Sequence, residues 1–369
     1  MGKKGYLLLE NGEIYEGWSF GFEKNVEGEV VFNTGMVGYP EGYTDPSYFG
    51  QILVQTFPLI GNYGVPHINI RNGISCNFES ENIQIRGLVV SQYIHHEKHW
   101  QSQTSLKSWL NTNKIPAISG IDTRSLTQML REKGVMKGAI SFNKPPDTIG
   151  GFSFTDINKE NLVAEVSCKK IITYGNSRKK ILLFDCGVKN NIIRHLLKRN
   201  FKVIRVPWDH DPFIKNAKFD YDAVVISPGP GDPKIIKKTI EITKKVIREK
   251  IPLLGICLGN QILALAIGAD TYKLKYGHRG QNQPVRDHQN NRCFITTQNH
   301  GFAVNTKTLP QNWLPWFSNL NDNTNEGIRH NNLPFVTVQF HPEAKPGPQD
   351  TEWIFDYFVE KLNQHAKKI

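Results

Sequence analysis

The chain contains 369 residues, of which 39% are hydrophobic and 21% are charged, and its formal net charge is +11. This composition is typical of a globular protein and excludes wholesale disorder, and the length suffices for two domains with a core each. The lysines are spread over amphipathic helical patterns, so we expect no nucleic-acid partner. The longest apolar stretch, 251–269, is interrupted by a proline, three glycines and two amides, so we expect no membrane span.

The N-terminal sequence MGKKGY has no apolar run of signal-peptide length and no serine or threonine at position 6, so we expect no targeting segment. The five cysteines are odd in number and form no CxxC pair, which indicates free thiols in a reducing compartment, without disulfides or a metal site. The abundance of lysine, isoleucine and asparagine suggests biased coding. We therefore expect the plastid stroma, with an organelle-encoded chain, or a bacterial cytoplasm.

The first hundred residues carry short β-type runs separated by glycine, proline and asparagine clusters, which predicts a sheet-rich α/β domain over residues 1–145. The runs are YLLLE (6–10), EVVFNT (29–34), QILVQTF (51–57) and GLVVSQYI (87–94). Helical patterns follow at SLKSWLNTN (105–113) and TRSLTQMLREKG (123–134). The second pattern ends in Gly134, as a helix C-terminus often does.

The pattern loosens at NKPPDTIGGF (143–152), and we predict a linker over 146–179 and a second domain over 180–369. There apolar strands alternate with helices, which predicts a mostly parallel sheet covered on both faces, with its functional site beyond the carboxyl ends of the strands. The predicted strands are ILLFDCG (181–187), KVIRVPW (202–208), AVVISPG (223–229) and IPLLGIC (251–257). The predicted helices are NNIIRHLLKRN (190–200), 234–249 and NQILALAIG (260–268).

The stretch GICLGNQ (255–261) places Cys257 where a predicted strand turns into a predicted helix. A helix N-terminus lowers the pKa of a thiol and offers free backbone N–H groups. Gly255 and Gly259 flank the cysteine at two residues on either side and permit the sharp path of a nucleophile elbow. A buried, inert cysteine fits this position equally well. Position alone therefore leaves both interpretations open.

The segment FVTVQFHPEA (335–344) is an alternating strand pattern that ends in His341, and Pro342 favours an extended backbone at that histidine. Because residues two apart in an extended chain point the same way, Glu343 is placed to hold one tautomer of His341. A lone His-Pro-Glu is more often a surface turn. Combined with an elbow cysteine in an alternating α/β domain, it favours a triad of nucleophile, base and orienting carboxylate.

Two further segments carry glycine-rich or polar turns. In ISPGPGDP (226–233) a strand leads into a turn whose glycines permit close approach of a ligand and whose N–H groups are suited to bind an oxyanion. No GK[ST] follows, which excludes a phosphate loop. The segment QNHGFAV (298–304) predicts a polar loop that opens into a strand, with a simple turn as the alternative.

These four segments, in this order, resemble the class I glutamine amidotransferase domain over about residues 181–360. The N-terminal sequences GEVVFNTGMVGYPEGYTDPSYFGQILVQTFPLIGNYG (28–64) and GIDTRSLTQMLREKG (120–134) resemble the small subunits of carbamoyl-phosphate synthetases. The resemblance thus covers nearly the whole chain. It implies a sheet-rich α/β domain followed by a mostly parallel, flavodoxin-like amidotransferase domain, and it implies hydrolysis of L-glutamine to glutamate and ammonia.

The resemblance also assigns roles to residues. It implies that Cys257 attacks the glutamine carboxamide to form a thioester, that His341 passes a proton to the departing ammonia, and that Glu343 holds His341. The backbone N–H groups of Gly229 and Leu258 correspond to the family's oxyanion positions. The positions implied to bind L-glutamine are Ser47, Gly229, Gly231, Leu258, Gln261, Asn299, Gly301 and Phe302.

A partner is implied as well. In the family a large subunit, in a heterodimer or a higher oligomer, receives the ammonia through a tunnel. That subunit makes carbamoyl phosphate from bicarbonate and ATP for arginine and pyrimidine synthesis. ATP and magnesium are expected on the large subunit, and no cofactor is expected in this chain, which carries no convincing ATP-binding signature.

Asn260 departs from the histidine that many members of the family carry after the first glycine beyond the nucleophile. Because asparagine cannot titrate near neutral pH, we expect altered pocket polarity and glutamine affinity more than an altered mechanism. Two alternatives stay open. One is a non-hydrolytic scaffold subunit of the same complex, and the other is a free-standing cysteine hydrolase of γ-glutamyl compounds, which would share the triad but not the N-terminal domain.

Overall fold

A computed structural model describes residues 2–143, 154–214 and 220–367 of the chain. Most of the NKPPDTIGGF segment, and the beginning of the linker predicted over 146–179, lie outside the described residues. Two main sheets are formed, a closed barrel in the N-terminal part and a ten-stranded sheet in the C-terminal part.

The N-terminal part contains eleven strands and three helices in the described residues. The strands are β1 (Lys4–Leu9), β2 (Ile14–Ser19), β3 (Val26–Asn33), β4 (Gln51–Ile60), β5 (Val65–Pro66), β6 (Ile70–Arg71), β7 (Ile74–Ser75), β8 (Gly87–Tyr93), β9 (Ser102–Thr104), β10 (Ala117–Ser119) and β11 (Met136–Ser141). The helices are α1 (Tyr39–Tyr43), α2 (Leu106–Thr112) and α3 (Thr123–Lys133). The barrel closes in the order β1-β11-β3-β4-β8-β10-β2, and β5-β9 and β6-β7 form two small antiparallel two-stranded sheets.

Both faces of the barrel strands are buried, which explains their nearly continuous apolar runs. On one face Val30 of β3 and Ile52 of β4 share a core with Leu126 of α3. On the other face Val31 and Leu53 share a core with the side chains of α2. The predicted sheet-rich α/β character and both predicted N-terminal helices are therefore confirmed.

The C-terminal part contains ten strands and five helices in the described residues. The strands are β12 (Ile172–Tyr174), β13 (Lys179–Asp185), β14 (Phe201–Pro207), β15 (Ala223–Ile226), β16 (Leu253–Ile256), β17 (Thr271–Asp287), β18 (Cys293–Val304), β19 (Trp313–Asn319), β20 (Asn325–His330) and β21 (Phe335–Val338). The helices are α4 (Leu162–Val166), α5 (Asn190–Lys198), α6 (Lys237–Arg248), α7 (Leu258–Ala266) and α8 (Trp353–Ala366).

The ten-stranded sheet joins a parallel part to an antiparallel part. Its order is β12-β14-β13-β15-β16-β21-β20-β19-β17-β18. The five strands from β14 to β21 are parallel and correspond to the predicted alternation of strands and helices, which confirms the α/β class. The strands β20, β19, β17 and β18 extend this sheet in antiparallel fashion.

The sequence pattern did not predict most of the antiparallel strands. The expectation of a polar loop at 298–304 is wrong, because these residues end β18 and pair with β17, with His300 opposite His278. Polar side chains of β17 and β18 are buried. The segment therefore lacks the alternation of apolar and polar residues that predicts a strand. The strand predicted from 335 to His341 is too long, since β21 ends at Val338 and His341 lies in the loop that follows.

The structure also bears on the expected state of the cysteines and on the possibility of a membrane span. All five cysteines are free, as predicted from their number and spacing. Among the described helices, none combines the length and the apolar character that crossing a membrane requires.

Candidate functional site

Cys257 lies at the tip of a sharp turn between β16 and α7, where it is the N-cap residue of the helix. Its backbone φ is +53°, a left-handed value that a non-glycine residue adopts only at a cost. A Cβ on Gly259 would lie 2.3 Å from the carbonyl oxygen of Ile226, so only glycine lets α7 pack this close to the sheet. The predicted elbow is therefore present, and its strain fixes the direction of the thiol.

The Cys257 side chain is only 2% exposed and has two polar neighbours. The side-chain amide of Gln339 donates to Sγ at 3.5 Å, and the carbonyl oxygen of Asn299 lies 3.9 Å from Sγ. The backbone N–H of Cys257 donates to the carbonyl of Val338 at 2.8 Å, which ties the elbow to the end of β21. The thiol is thus held beside the loop that carries His341.

The structure brings His341 and Glu343 together, as the sequence predicts. Nδ1 of His341 lies 2.7 Å from Oε1 of Glu343, and both side chains are buried. The other ring nitrogen, Nε2, has no nitrogen or oxygen partner, and the imidazole interacts with Cys257 instead. Burial lowers the pKa of His341, but the charge of Glu343 and hydrogen bonds with Cys257 and Glu343 outweigh it and raise that pKa to about 10.

A lysine that the sequence analysis did not single out completes this cluster. Nζ of Lys189, which is 1% exposed, lies 3.0 Å from Oε1 of Glu343 and donates to the carbonyl of Ala344 at 2.7 Å. Burial raises the pKa of Glu343, yet Lys189 and His341 lower it to about 2. Glu343 therefore stays ionised and holds His341 in one orientation.

A carboxylate from the N-terminal part lies behind Lys189. Glu79 is fully buried, receives the backbone N–H of Asn191 at 3.0 Å, and pairs with Nη2 of Arg194 at 2.5 Å. Its charge acts on Lys189, whose pKa is raised by Glu343 and Glu79 despite the opposing effect of burial. Charges from both parts of the chain thus support the orientation of Glu343.

A cavity opens in front of Cys257, between the barrel and the ten-stranded sheet. Of the predicted site residues, those that line it are Cys257, Ser47, Gly229, Gly231, Gln261, Asn299, Gly301 and Phe302. Leu258, His341 and Glu343 do not line it and are buried beside or behind the cysteine. Asn299 is held toward the barrel, because its side-chain amide donates to Asp45 at 3.1 Å.

The two predicted oxyanion positions lie close together beside Cys257. Leu258 begins α7 directly after the nucleophile. A Cβ on Gly229 would lie 2.8 Å from the Leu258 side chain and 2.1 Å from the carbonyl oxygen of Cys186, so the backbone at Gly229 packs tightly here. This arrangement suits two backbone N–H groups that converge near the thiol.

Another side of the cavity is polar, and of its residues the sequence analysis predicted only Ser47. We call Glu29, Ser47, Gln51 and Arg279 the polar wall. Glu29 accepts from Gln51 at 2.9 Å and pairs with Lys273 at 2.6 Å. Glu29 and Gln51 lie on β3 and β4 of the barrel and Arg279 lies on β17 of the ten-stranded sheet, so their proximity has no local sequence signal.

Asn260 does not line the cavity. Its amide donates to Oε1 of Gln339 at 3.0 Å, its carbonyl oxygen accepts from Thr337 at 2.6 Å, and it is fully buried. Gln339 in turn contacts the Cys257 sulfur. Asn260 is therefore linked to the Cys257 sulfur through Gln339, and the expected change in pocket polarity and glutamine affinity stays a prediction.

Comparison with known families assigns both parts of the chain. Residues 182–361 match the family described as glutamine amidotransferase class-I. Residues 7–140 match the family described as carbamoyl-phosphate synthase small chain, CPSase domain. The two matches lie on the ten-stranded sheet and on the barrel, respectively.

Individual relatives are similar along nearly the whole chain. The carbamoyl phosphate synthase small chain of Pyrococcus furiosus is 44% identical and covers 98% of both chains. The mitochondrial carbamoyl-phosphate synthase [ammonia] of Homo sapiens is 48% identical over 97% of this chain and 24% of its own length. Multifunctional protein pyr1-3 of Dictyostelium discoideum is 47% identical over 98% of this chain and 17% of its own length. The chain thus spans a quarter or less of these two longer relatives.

Proposed function

We propose, from the premise that this chain belongs to the carbamoyl-phosphate synthase small-chain family, that it hydrolyses L-glutamine to glutamate and ammonia. The observation that carries the proposal is the buried array of Cys257, His341 and Glu343 at a strained elbow. The 2.7 Å contact between His341 and Glu343 supplies an oriented base, and the cavity in front of Cys257 supplies room for a substrate group.

The chemistry follows from this geometry. Protonated His341 stabilises the thiolate of Cys257, which attacks the carboxamide carbon, and backbone N–H groups at Gly229 and Leu258 bind the oxyanion. His341 gives a proton to the leaving nitrogen, so that ammonia departs and a thioester stays on Cys257. Water then attacks the thioester, His341 takes its proton, and glutamate is released with the thiolate restored.

We propose that the ammonia passes to a large subunit, in a heterodimer or a higher oligomer. On that partner, ATP with magnesium and bicarbonate would yield carbamoyl phosphate for arginine and pyrimidine synthesis. The support is the family match of residues 7–140, which accompanies the amidotransferase match in one chain. The same match argues against a free-standing γ-glutamyl hydrolase.

We also propose that the chain works in the plastid stroma or in a bacterial cytoplasm. The support is limited to the five free thiols, which suit a reducing compartment, and to the composition of the chain.

A second candidate function is a non-hydrolytic subunit of the same complex. It is favoured by the human relative, whose name specifies ammonia, and by the departure at Asn260. The complete triad argues against it, because a scaffold has no use for a nucleophile, a base and an orienting carboxylate together.

The test is glutamine hydrolysis by the purified chain and by Cys257→Ser, each with and without a large subunit. We expect hydrolysis that the partner stimulates and that the substitution abolishes. A wild-type complex that releases no glutamate would leave only the non-hydrolytic subunit. Hydrolysis that persists in Cys257→Ser would overturn the assignment of the nucleophile.

A further inference from the structure

Two histidines and a glutamate from three strands meet in the antiparallel part of the ten-stranded sheet. His278 lies on β17, His300 on β18 and Glu326 on β20, and none of the three is more than 6% exposed. One ligating atom of each lies within 4.8 Å of those of the other two. Two imidazole nitrogens and a carboxylate oxygen form a donor set that suits zinc-type ions better than calcium or magnesium. These residues come from separate strands and include no cysteine, so the cysteine spacing gave no signal for them.

The outer nitrogen of His278 is held by a second carboxylate. Nε2 of His278 lies 2.9 Å from Oδ2 of Asp322, so that Nδ1 faces inward, 3.3 Å from Oε1 of Glu326. Asn319 donates to the same Oε1 at 3.0 Å and lies 3.4 Å from Nδ1 of His278. A carboxylate behind a histidine is typical of metal sites, because it fixes the tautomer whose inner nitrogen has a free lone pair. A proton on both nitrogens of His278 would satisfy the same two carboxylates, so experiments have to distinguish that proton from a metal ion.

The contacts of His300 favour a metal ion over a proton. Its Nδ1 lies 2.9 Å from the carbonyl oxygen of Phe302, and its Nε2 lies 3.1 Å from Oε1 of Gln298. The amide of Gln298 is fixed this way round, because its Nε2 donates at 3.1 Å to the hydroxyl of Thr296, which in turn donates to a backbone carbonyl. A neutral imidazole has one N–H, so one nitrogen of His300 faces an oxygen with no hydrogen between them.

Protonation of both nitrogens of His300 is unfavourable. The ring centroids of His278 and His300 lie 4.9 Å apart, and the charges of Arg279 and His341 also act against a positive His300. A metal ion at Nε2 removes the conflict, because both the nitrogen lone pair and the amide oxygen of Gln298 can bind it.

Glu326 supplies negative charge at this point. Its Oε1 lies 4.0 Å from Nε2 of His300. Its Oε2 is buried without a hydrogen-bond partner in the described residues, although Gln298 also acts on the carboxylate. In the same part of the chain no lysine or arginine lies within ion-pair distance of Glu326, whose ion-pair contacts are His278 and His300. Buried carboxylates normally have their lone pairs satisfied, so Oε2 points to a bound cation.

We propose that Nδ1 of His278, Nε2 of His300 and the carboxylate of Glu326 bind one divalent ion of the zinc class. Oε1 of Gln298 is the fourth ligand, which closes the coordination sphere as in structural zinc sites. Tetrahedral zinc ligands at about 2.1 Å from the metal lie about 3.4 Å from one another. The present separations from Oε1 of Glu326, 3.3 Å and 4.0 Å, are close to that value, so the side chains need only small movements.

The ion is structural and takes no part in glutamine hydrolysis. It links β17, β18 and β20 and fixes His300, which also lines the cavity in front of Cys257. A separate cavity of about 520 Å³, lined among others by His278, Asn321 and Asp322, gives an ion access from solvent.

The first experiment measures zinc binding by the full chain after dialysis against a chelator. The wild type should retain a single zinc ion through gel filtration, as counted by elemental analysis. Asp322→Asn should weaken the zinc affinity about 10- to 100-fold, the cost of losing the partner behind a ligating histidine, and His278→Gln should weaken it further. Because the Asp322 side chain is 36% exposed, its variant should fold. Equal zinc affinity in the wild type, Asp322→Asn and His278→Gln would overturn the proposal.

Two control variants separate this site from other groups that bind zinc. His195→Gln is the matched control, because His195 is as buried as His278 and lies 3.7 Å from Glu352, but it belongs to no group of three ligands in the described residues. Cys257→Ser removes the reactive thiol, which is itself able to bind zinc. Both variants should keep the wild-type zinc affinity. Loss of zinc in Cys257→Ser but not in His278→Gln would place the ion at the nucleophile and contradict the proposal.

Cobalt provides a test that needs no variant to fold. Bound Co²⁺ should show the visible absorption of a four-coordinate ion without the thiolate-to-metal band that a cysteine ligand produces, and Zn²⁺ should displace it. A thiolate band, or a wild type that binds neither ion, would rule the site out. His278 would then carry a proton on each nitrogen between Asp322 and Glu326.

Discussion

The two sides of the cavity differ in how their polar atoms are paired. On one side Cys257, His341, Glu343 and Lys189 form the reacting cluster, in which the carboxylate of Glu343 contacts both His341 and Lys189 directly. Both sides keep buried atoms without a partner in the described residues: Nε2 of His341 and Oε2 of Glu343 on this side, and atoms of Ser47, Gln51 and Arg279 in the polar wall. The difference is that the buried charges of the first side are ion-paired, whereas Arg279 forms no ion pair within those residues. We therefore expect the reacting cluster to be preorganised without substrate and the polar wall to gain its missing partners from a bound ligand.

This difference teaches that reaction and recognition are separable here. Preorganised charges lower the barrier because they need no rearrangement during the reaction. Unpartnered groups gain hydrogen bonds only when a ligand binds. They therefore stabilise the bound substrate more than the transition state of the reaction. We therefore expect changes in the reacting cluster to lower kcat and changes in the polar wall to raise KM.

The largest expected effect comes from Glu343→Gln, which removes the charge behind His341. The amide can favour the wrong tautomer of the imidazole, and kcat should fall roughly 10³- to 10⁴-fold, as for removal of the orienting carboxylate in serine proteases. Steady-state hydrolysis measures the fall. Glu241→Gln is the control, because Glu241 is an exposed partner of Lys244. A fall of less than tenfold would falsify the role of Glu343.

The pH dependence of stability sharpens the same prediction. Since the folded-state pKa of His341 is raised to about 10, its stabilising effect is complete below its ordinary value of 6.5 and is lost as the pH rises through about 10. In Glu343→Gln this pKa should move back toward its ordinary value. Urea unfolding at about pH 7 and about pH 10 should therefore show a smaller alkaline loss of stability in the variant than in the wild type. Equal losses would contradict the pairing.

An intermediate effect is expected from Glu79→Gln, which acts on the reacting cluster from the N-terminal part. Lys189 would lose one of the three carboxylates whose charges act on it. Its charge would then act more fully on Glu343 and weaken the attraction between Glu343 and His341. We expect kcat to fall about tenfold, or about 1.4 kcal/mol in the barrier, with KM nearly unchanged. If Glu79→Gln instead raises KM and leaves kcat unchanged, Glu79 acts in substrate recognition. That result would contradict the distinction between the reacting cluster and the polar wall.

The smallest effect is expected from Asn260→His, which restores the residue common in the family. Asn260 reaches the sulfur only through Gln339 and does not line the cavity. We expect less than about a threefold change in kcat or KM, equivalent to less than about 0.7 kcal/mol. A much larger rise in glutamine affinity would show that the residue acts on the pocket after all.

Several parts of the site could be predicted because their signals are local. The elbow at Cys257 follows from glycines spaced two residues on either side, and the pairing of His341 with Glu343 follows from a single dipeptide step around Pro342. The parallel strands follow from their apolar runs alternating with helices. Each of these signals lies within about ten residues of the feature that it predicts.

The remaining parts could not be predicted because their signals are distant or polar. Lys189 and Glu79 meet across 110 positions of sequence, and neither stands in a recognisable pattern. Arg279 lies in β17, a strand whose buried face is polar and which therefore shows no alternation of apolar residues. Such residues become visible only when the barrel and the ten-stranded sheet are seen together.

The contacts between the barrel and the ten-stranded sheet also bear on how the chain unfolds. Glu79 meets Arg194, Glu29 meets Lys273, and Asp45 meets Asn299, each through buried or half-buried polar atoms. Separating the barrel from the sheet would leave these charged and polar groups without partners on a surface that is only partly hydrated. We therefore expect the barrel and the sheet to unfold in one cooperative transition. An intermediate in which the Cys257 thiol is exposed to solvent should then not be populated.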